Sequence, residues 1–204
     1  MQEVRTMEQP VFESADADSN LLTPPGGFLV WVIVLVEFLT FGMGLAVFEV
    51  MRRQEPEVFR AGQAGLNHII AFANTLILLT GGWLMANAVE HLRENRWAQA
   101  RRGTLAAAAC GLVFLVLKGS EYAEKLRHGD DLHRDTFHTL YWLLTGFHYL
   151  HVLVAVVLLL VMARALRNTA TLNETRENVG ASAIFWHLCD LVWLLLLPVV
   201  YLLR

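Results

Sequence analysis

The sequence predicts an all-α polytopic membrane protein, a bundle of five transmembrane helices, on three observations. First, 55% of the 204 residues are hydrophobic and only 17% are charged, with a mean hydropathy of +0.44. A soluble domain carries about 25% charged residues. Second, the charges cluster and leave five runs of roughly 18 to 28 residues nearly free of Lys, Arg, Asp and Glu, each long enough to cross a hydrocarbon core of about 30 Å. Third, no alternating, strand-length pattern competes, so the spans are helices, which satisfy their own backbone in lipid. A soluble enzyme is thereby excluded, and a net charge of −3 offers no basic surface for nucleic acid.

Residues 1–26 read as a flexible acidic tail. Glu3, Glu8, Glu13, Asp16 and Asp18 stand there against Arg5, whereas a secretory leader needs the opposite sign. Pro24, Pro25, Gly26 and Gly27 end the tail with an extended backbone that is free to turn. Residues 27–204 form a single transmembrane domain. Its first helix covers about 28–50 and holds Glu37 near its middle. The second, about 66–89, has no formal charge, and the third, about 103–122, runs through the small-residue block 106–111 and acquires Lys118 and Glu121 at its far end. The fourth covers about 137–163. The fifth, about 179–203, contains Asp190 and is interrupted by Pro198. A stretch of 23 residues is about 35 Å long and spans with modest tilt. Loops of about 12 to 16 residues leave no room for an extramembrane domain.

Five spans place the termini on opposite sides. Eight cations on the N-terminal side face seven on the other, a bias too small to set orientation by charge alone. Cys110 and Cys189 lie in spans without partners at metal or redox spacing and read as small core residues. No internal repeat is detectable, which counts against a transporter.

Ionisable groups inside a span cost roughly 2.5–3.5 kcal/mol on insertion scales, so each requires a partner or a task. Glu37 is followed by Phe41, Gly44 and Phe48 at i+4, i+7 and i+11, a stripe suited to another helix or to proton exchange. In the fourth span Tyr141, Thr145, His148 and His151 share one face. In the fifth, Trp186, Asp190 and Trp193 share another, with His187 one turn before Asp190, and the two polar faces should meet. Lys118, Glu121 and Lys125 at i, i+3 and i+7 read as a salt-bridged cluster near the membrane interface. Trp97 beside Arg101 and Arg102 reads as an interfacial girdle, with all three as candidate lipid head-group contacts. Asn67, Asn74 and Gly81 make a narrow polar and small stripe. His68, His148, His151 and His187 leave a b-type haem open on residue type alone, while no motif points to a catalytic metal.

Four motifs in order carry a resemblance. Residues 145–152, Thr-Gly-Phe-His-Tyr-Leu-His-Val, resemble the signature of subunit III of the haem-copper oxidases (cytochrome c oxidase subunit 3). Residues 186–193, Trp-His-Leu-Cys-Asp-Leu-Val-Trp, are similar to that family's motif in its last helix. Ser120-Glu121-Tyr122 resembles its Ser-Glu-Tyr, and Glu37 falls at its intramembrane glutamate. The long members have seven helices and this chain resembles the last five. With Pro56-Glu57-Val58-Phe59 after the first helix, it looks like the five-helix, nitric-oxide-reductase-associated (NorE-like) branch. Gly180 stands where the family has a glutamate before the last helix.

The resemblance implies a non-catalytic accessory subunit with no haem, copper or other metal of its own and no catalytic residue. It implies packing against a large haem-copper catalytic subunit, nitric oxide reductase in denitrification or alternatively a cytochrome c or quinol terminal oxidase, with structural phospholipid in a cleft. A bacterial inner-membrane location follows, with the N-terminus cytoplasmic and the C-terminus periplasmic. Glu37, Glu121, His148, His151, His187 and Asp190 then form a buried polar framework.

Overall fold

A computed structural model describes residues 27–167 and 172–203. The acidic tail assigned to residues 1–26 lies outside them. In chain order the helices are α1 (Phe28–Gln54), α2 (Pro56–Ala64), α3 (His68–Arg93), α4 (Trp97–Arg127), α5 (Thr136–Ala165) and α6 (Leu172–Leu196), which continues as a π-helical turn over Leu197–Leu202. Among the described residues five helices are long and apolar enough to span a membrane, as the composition requires.

Every span is longer than its apolar run, because polar and charged flanks continue the helix into the interface. The connection between α3 and α4 is correspondingly three residues, 94–96, where a loop of about 12 to 16 was expected. Asn95 makes this turn with φ 60°, a conformation asparagine tolerates better than most side chains. Its Oδ1 accepts from Arg176 at 2.7 Å.

The short helix α2 was not expected. Pro56 at its first turn suits a helix start because its missing N–H is an orphan there anyway. Phe59, Gly62 and Gln63, at i, i+3 and i+4, turn inward and are buried. The Phe59 ring packs edge-on against Phe48 of α1 and Phe137 of α5, at 5.0 and 5.6 Å. Pro198 lacks the N–H that would continue a regular ladder, and the last turn widens around it. Gln63 Nε2 then donates to the Val200 and Leu203 carbonyls at 3.1 and 2.8 Å, satisfying acceptors a helix end leaves free.

Lipid is as apolar as leucine, so helices in a membrane associate through close fit. The most extensive contact is between α3 and α4, with α6 packed across both. A Cβ on Gly111 would lie 2.4 Å from Val156 Cγ2 and 2.8 Å from the Trp186 ring, and one on Gly81 would lie 2.8 Å from the same indole. These two glycines create the slot that holds Trp186, which is fully buried. By contrast α1 buries only Phe41 and Phe48. It leaves Leu29, Leu35, Leu39 and Met43 more than half exposed, an apolar face that a hydrocarbon solvent tolerates.

Asp135 caps α5, accepting from the His138 backbone N–H at 2.9 Å and contacting the His138 ring Nδ1 at 2.8 Å. Burial works against ionisation, but the backbone and ring contacts of His138 hold the Asp135 carboxyl below the usual carboxylate range. Its contribution to stability is therefore full at neutral pH and is lost as pH falls through that lowered value.

Two outcomes follow. Gly111→Ala should destabilise the bundle by about 1–3 kcal/mol through overpacking, measured as thermal unfolding in detergent. Asp135→Ala should cost about 1 kcal/mol at neutral pH, with the difference from wild type narrowing in acid.

Candidate functional site

Two polar centres lie inside the bundle. The first joins α1 to α5. Glu37 Oε1 lies 3.1 Å from His151 Nε2, with side-chain exposures of 18% and 15%. His151 Nδ1 is 2.8 Å from the Phe147 carbonyl, which can only accept, so Nδ1 carries a proton. Nε2 and Glu37 then share one further proton, on either the carboxyl or the imidazole. Phe41 stacks edge-on to His151 at 5.6 Å and to His148 at 6.3 Å, so the predicted stripe on α1 does meet the polar face of α5.

His148 is fully buried, and neither ring nitrogen has a hydrogen-bond partner. Its ring stacks on Trp193 of α6 at 5.3 Å and meets Phe114 of α4 edge-on at 5.8 Å. Trp193 Nε1 donates to Thr75 Oγ1 of α3 at 3.0 Å. The faces of α5 and α6 expected to meet therefore do so, but through an imidazole stacked on an indole and without a hydrogen bond. Asp190 is buried and its Oδ2 is 3.5 Å from His187 Nδ1. His187 departs from the expected buried framework, with 46% of its side chain exposed, because three residues back along α6 it sits at the edge of the buried face. Asp190 approaches α3 closely: a Cβ on Gly82 would lie 2.4 Å from Asp190 Oδ2.

The second centre ties α4, α5 and the π-helical turn. Lys118 Nζ is 3.0 Å from Glu121 Oε1, with side-chain exposures of 0% and 5%. Nζ also contacts the Tyr141 hydroxyl at 2.9 Å and the Tyr201 hydroxyl. Both hydroxyls donate to Glu121 Oε1, at 2.6 and 3.3 Å. The ammonium lies 5.0–5.2 Å from the Tyr122, Tyr141 and Tyr201 ring centres, within cation–π range. The expected ion pair forms, and Glu121 is buried as the polar framework requires. The helix α4 continues to Arg127 and the π-helical turn brings Tyr201 over the pair, so the cluster is interior. Lys125 is buried as well, 5.2 Å from the Tyr141 ring centre.

Tyr201 and Gln63 escaped the sequence reading because neither is ionised inside a predicted span. The readable signals were the helix end just past Pro198, whose free carbonyls call for a donor, and the i, i+4 pair Phe59 and Gln63. The expected girdle separates. Arg101 Nε donates to the Ala163 carbonyl at the end of α5, 3.1 Å away, and Trp97 lies under the Arg176 guanidinium at 5.3 Å. Arg102 is exposed and borders a groove of about 450 Å³ with Trp83, Asn87, His91 and Gln99. Asn67 caps α3 through Oδ1, accepting from the Ile69 and Ile70 backbone N–H groups. Asn74 is fully buried, and Gly81 faces Trp186. Cys189 is buried and Cys110 half-buried. Among the described residues no group of three or more His, Cys, Asp or Glu is placed to hold a metal ion.

The sequence model of cytochrome c oxidase subunit III matches residues 59–203. The chain belongs to the cytochrome c oxidase subunit III family. It is similar to cytochrome c oxidase subunit 3 of Thermostichus vulcanus, 28% identical over 178 residues that cover 87% of this chain and 86% of that one. The Synechocystis protein of that name is 29% identical over 174 residues, 84% and 73% of the two chains. That of Drosophila melanogaster is 34% identical over 134 residues, 65% of this chain and 49% of the other. The chain spans about half the length of the Drosophila and Anopheles relatives it matches. Both histidine motifs, residues 145–152 and 186–193, lie within the family match, and Glu37 lies before it.

The Lys118–Glu121 pair yields a double-mutant expectation. Lys118→Met alone strands a buried carboxylate and should cost about 3–5 kcal/mol, while Lys118→Met with Glu121→Gln should recover much of that loss. Chemical denaturation in detergent measures both.

Proposed function

We propose that this chain is a non-catalytic accessory subunit of a haem-copper enzyme, packed against the large redox subunit of nitric oxide reductase. Support comes first from the family match over residues 59–203, which makes a subunit III role the starting point. Two of the four histidines offered as ligands face other groups, His151 against Glu37 and His148 stacked on Trp193, and Glu121 meets Lys118 and two tyrosines. They tie helices to helices. The exposed apolar face of α1 is available to a neighbouring membrane subunit.

The nitric oxide reductase assignment rests on two features of the sequence: its five spans, which resemble the last five of the family's long members, and Pro56-Glu57-Val58-Phe59, which opens the short helix α2. A second reading, subunit III of a terminal oxidase, is favoured by the names of the relatives, which are cytochrome c oxidase subunit 3. In either complex the chain sits in a bacterial inner membrane with its N-terminus cytoplasmic and its C-terminus periplasmic. An anionic phospholipid head group takes the groove beside Arg102 and Trp83, where a free guanidinium meets an interfacial indole.

Affinity purification of the tagged chain from native membranes tests the proposal. Recovery of the nitric oxide reductase large subunit supports the first reading, and recovery of a terminal-oxidase large subunit supports the second and rejects the first. Recovery of neither, or a Soret band in the chain purified alone, rejects both. Glu37→Ala should lower the yield of the complex while the haem spectrum of the large subunit is unchanged.

A further inference from the structure

A cavity of about 470 Å³ opens between the junction of α2 with α3 and the end of α4. Its walls are residues 64–69 on one side and Glu121, Glu124, Lys125, His128 and Asp130 on the other. It is roomy enough for several waters, each with a liquid share of about 30 Å³. Of the three carboxylates in the wall only Glu121 is buried.

The bonding of Glu121 is one-sided. Lys118, Tyr141 and Tyr201 all converge on Oε1, while Oε2 is buried with no hydrogen-bond partner in the protein. His68 Nδ1, in the same wall, has none either. A buried carboxylate oxygen without a donor is expensive, and Glu121 stands in the wall of this cavity.

We infer that Glu121 is a proton-exchange site, reached by water through this cavity from the membrane face on which α2 lies, with Lys118, Tyr141 and Tyr201 as the closed inner end of the route. A proton taken from water adds to Oε2, and release returns it to water along the same path. Oε1 keeps its three partners in both states, so the helices it joins need not move. The charged and titratable groups facing Glu121 are Lys118 and Lys125 on its own helix, Tyr141 of α5 and Tyr201 of the π-helical turn. Tyr122 and Glu124 of α4, His128 at its end, His68 of α3 and Asp130 of the α4–α5 connection complete the set. The inference is independent of which large subunit the chain meets.

Infrared difference spectroscopy of the full chain in lipid nanodiscs tests it. A carboxyl band should respond to pH, be absent from Glu121→Gln, and shift when H2O is replaced by D2O. Ala64→Trp, at the exposed rim, should slow that isotope shift roughly tenfold relative to wild type. Thr80→Trp, on the exposed side of α3, should not slow it. Should Glu121→Gln fail to fold, Tyr141→Phe serves as the assignment, because loss of one donor to Oε1 moves the frequency of the Glu121 band. The absence of any titrating band that responds to these variants, or an isotope shift equally fast in Ala64→Trp, overturns the proposal.

Discussion

A carboxylate and an ammonium enclosed together inside the protein set the terms for half of this bundle. Burying Glu121 and Lys118 requires partners for their charges, and those of the ammonium and of Glu121 Oε1 come from different elements: Tyr141 from α5 and Tyr201 from the turn that ends α6. Tyr201 can reach the pair only because the backbone widens at Pro198, and the widened turn is in turn held by Gln63 of α2. One ion pair thus explains the path of the last helix, the presence of a nine-residue helix and the extension of α4 beyond its apolar run.

At the opposite extreme of polarity, the packing of α3, α4 and α6 is governed by the absence of side chains. Gly81 and Gly111 leave the slot that Trp186 fills, and Gly82 lets Asp190 lie against α3. Neither arrangement relies on hydrophobic exclusion of water, which does not distinguish a helix from the lipid beside it. Fit and polar satisfaction do that work, and for this reason the polar residues of the spans also map the interior.

The number and type of spanning elements were legible because the lipid requirement for long apolar helices is written into composition and charge spacing. The polar stripes were legible for the same reason: Glu37, His148, His151 and Asp190 stand out where charge is costly, and helical period places them on shared faces. What encloses the ion pair was not legible: Lys118 and Glu121 lie at the end of an apolar run, and only the long-range return of residue 201 to residue 118 covers them. His187 shows the reverse error, since a position one turn from a buried acid can still project past the edge of a face. The helix α2 was obscured by brevity, its nine residues being too few for a periodic signal to outweigh its charged flanks.

The pairing of Glu37 with His151 has a consequence for how the protein is made. The two residues are 114 positions apart in the chain, and ribosomes add about 5–20 residues per second. The carboxyl of the first inserted helix therefore waits on the order of ten seconds in the bilayer before its imidazole is even synthesised. During that interval the Glu37 carboxyl lacks the imidazole that pairs with it, and whatever greets it in the membrane does so before the fold can close.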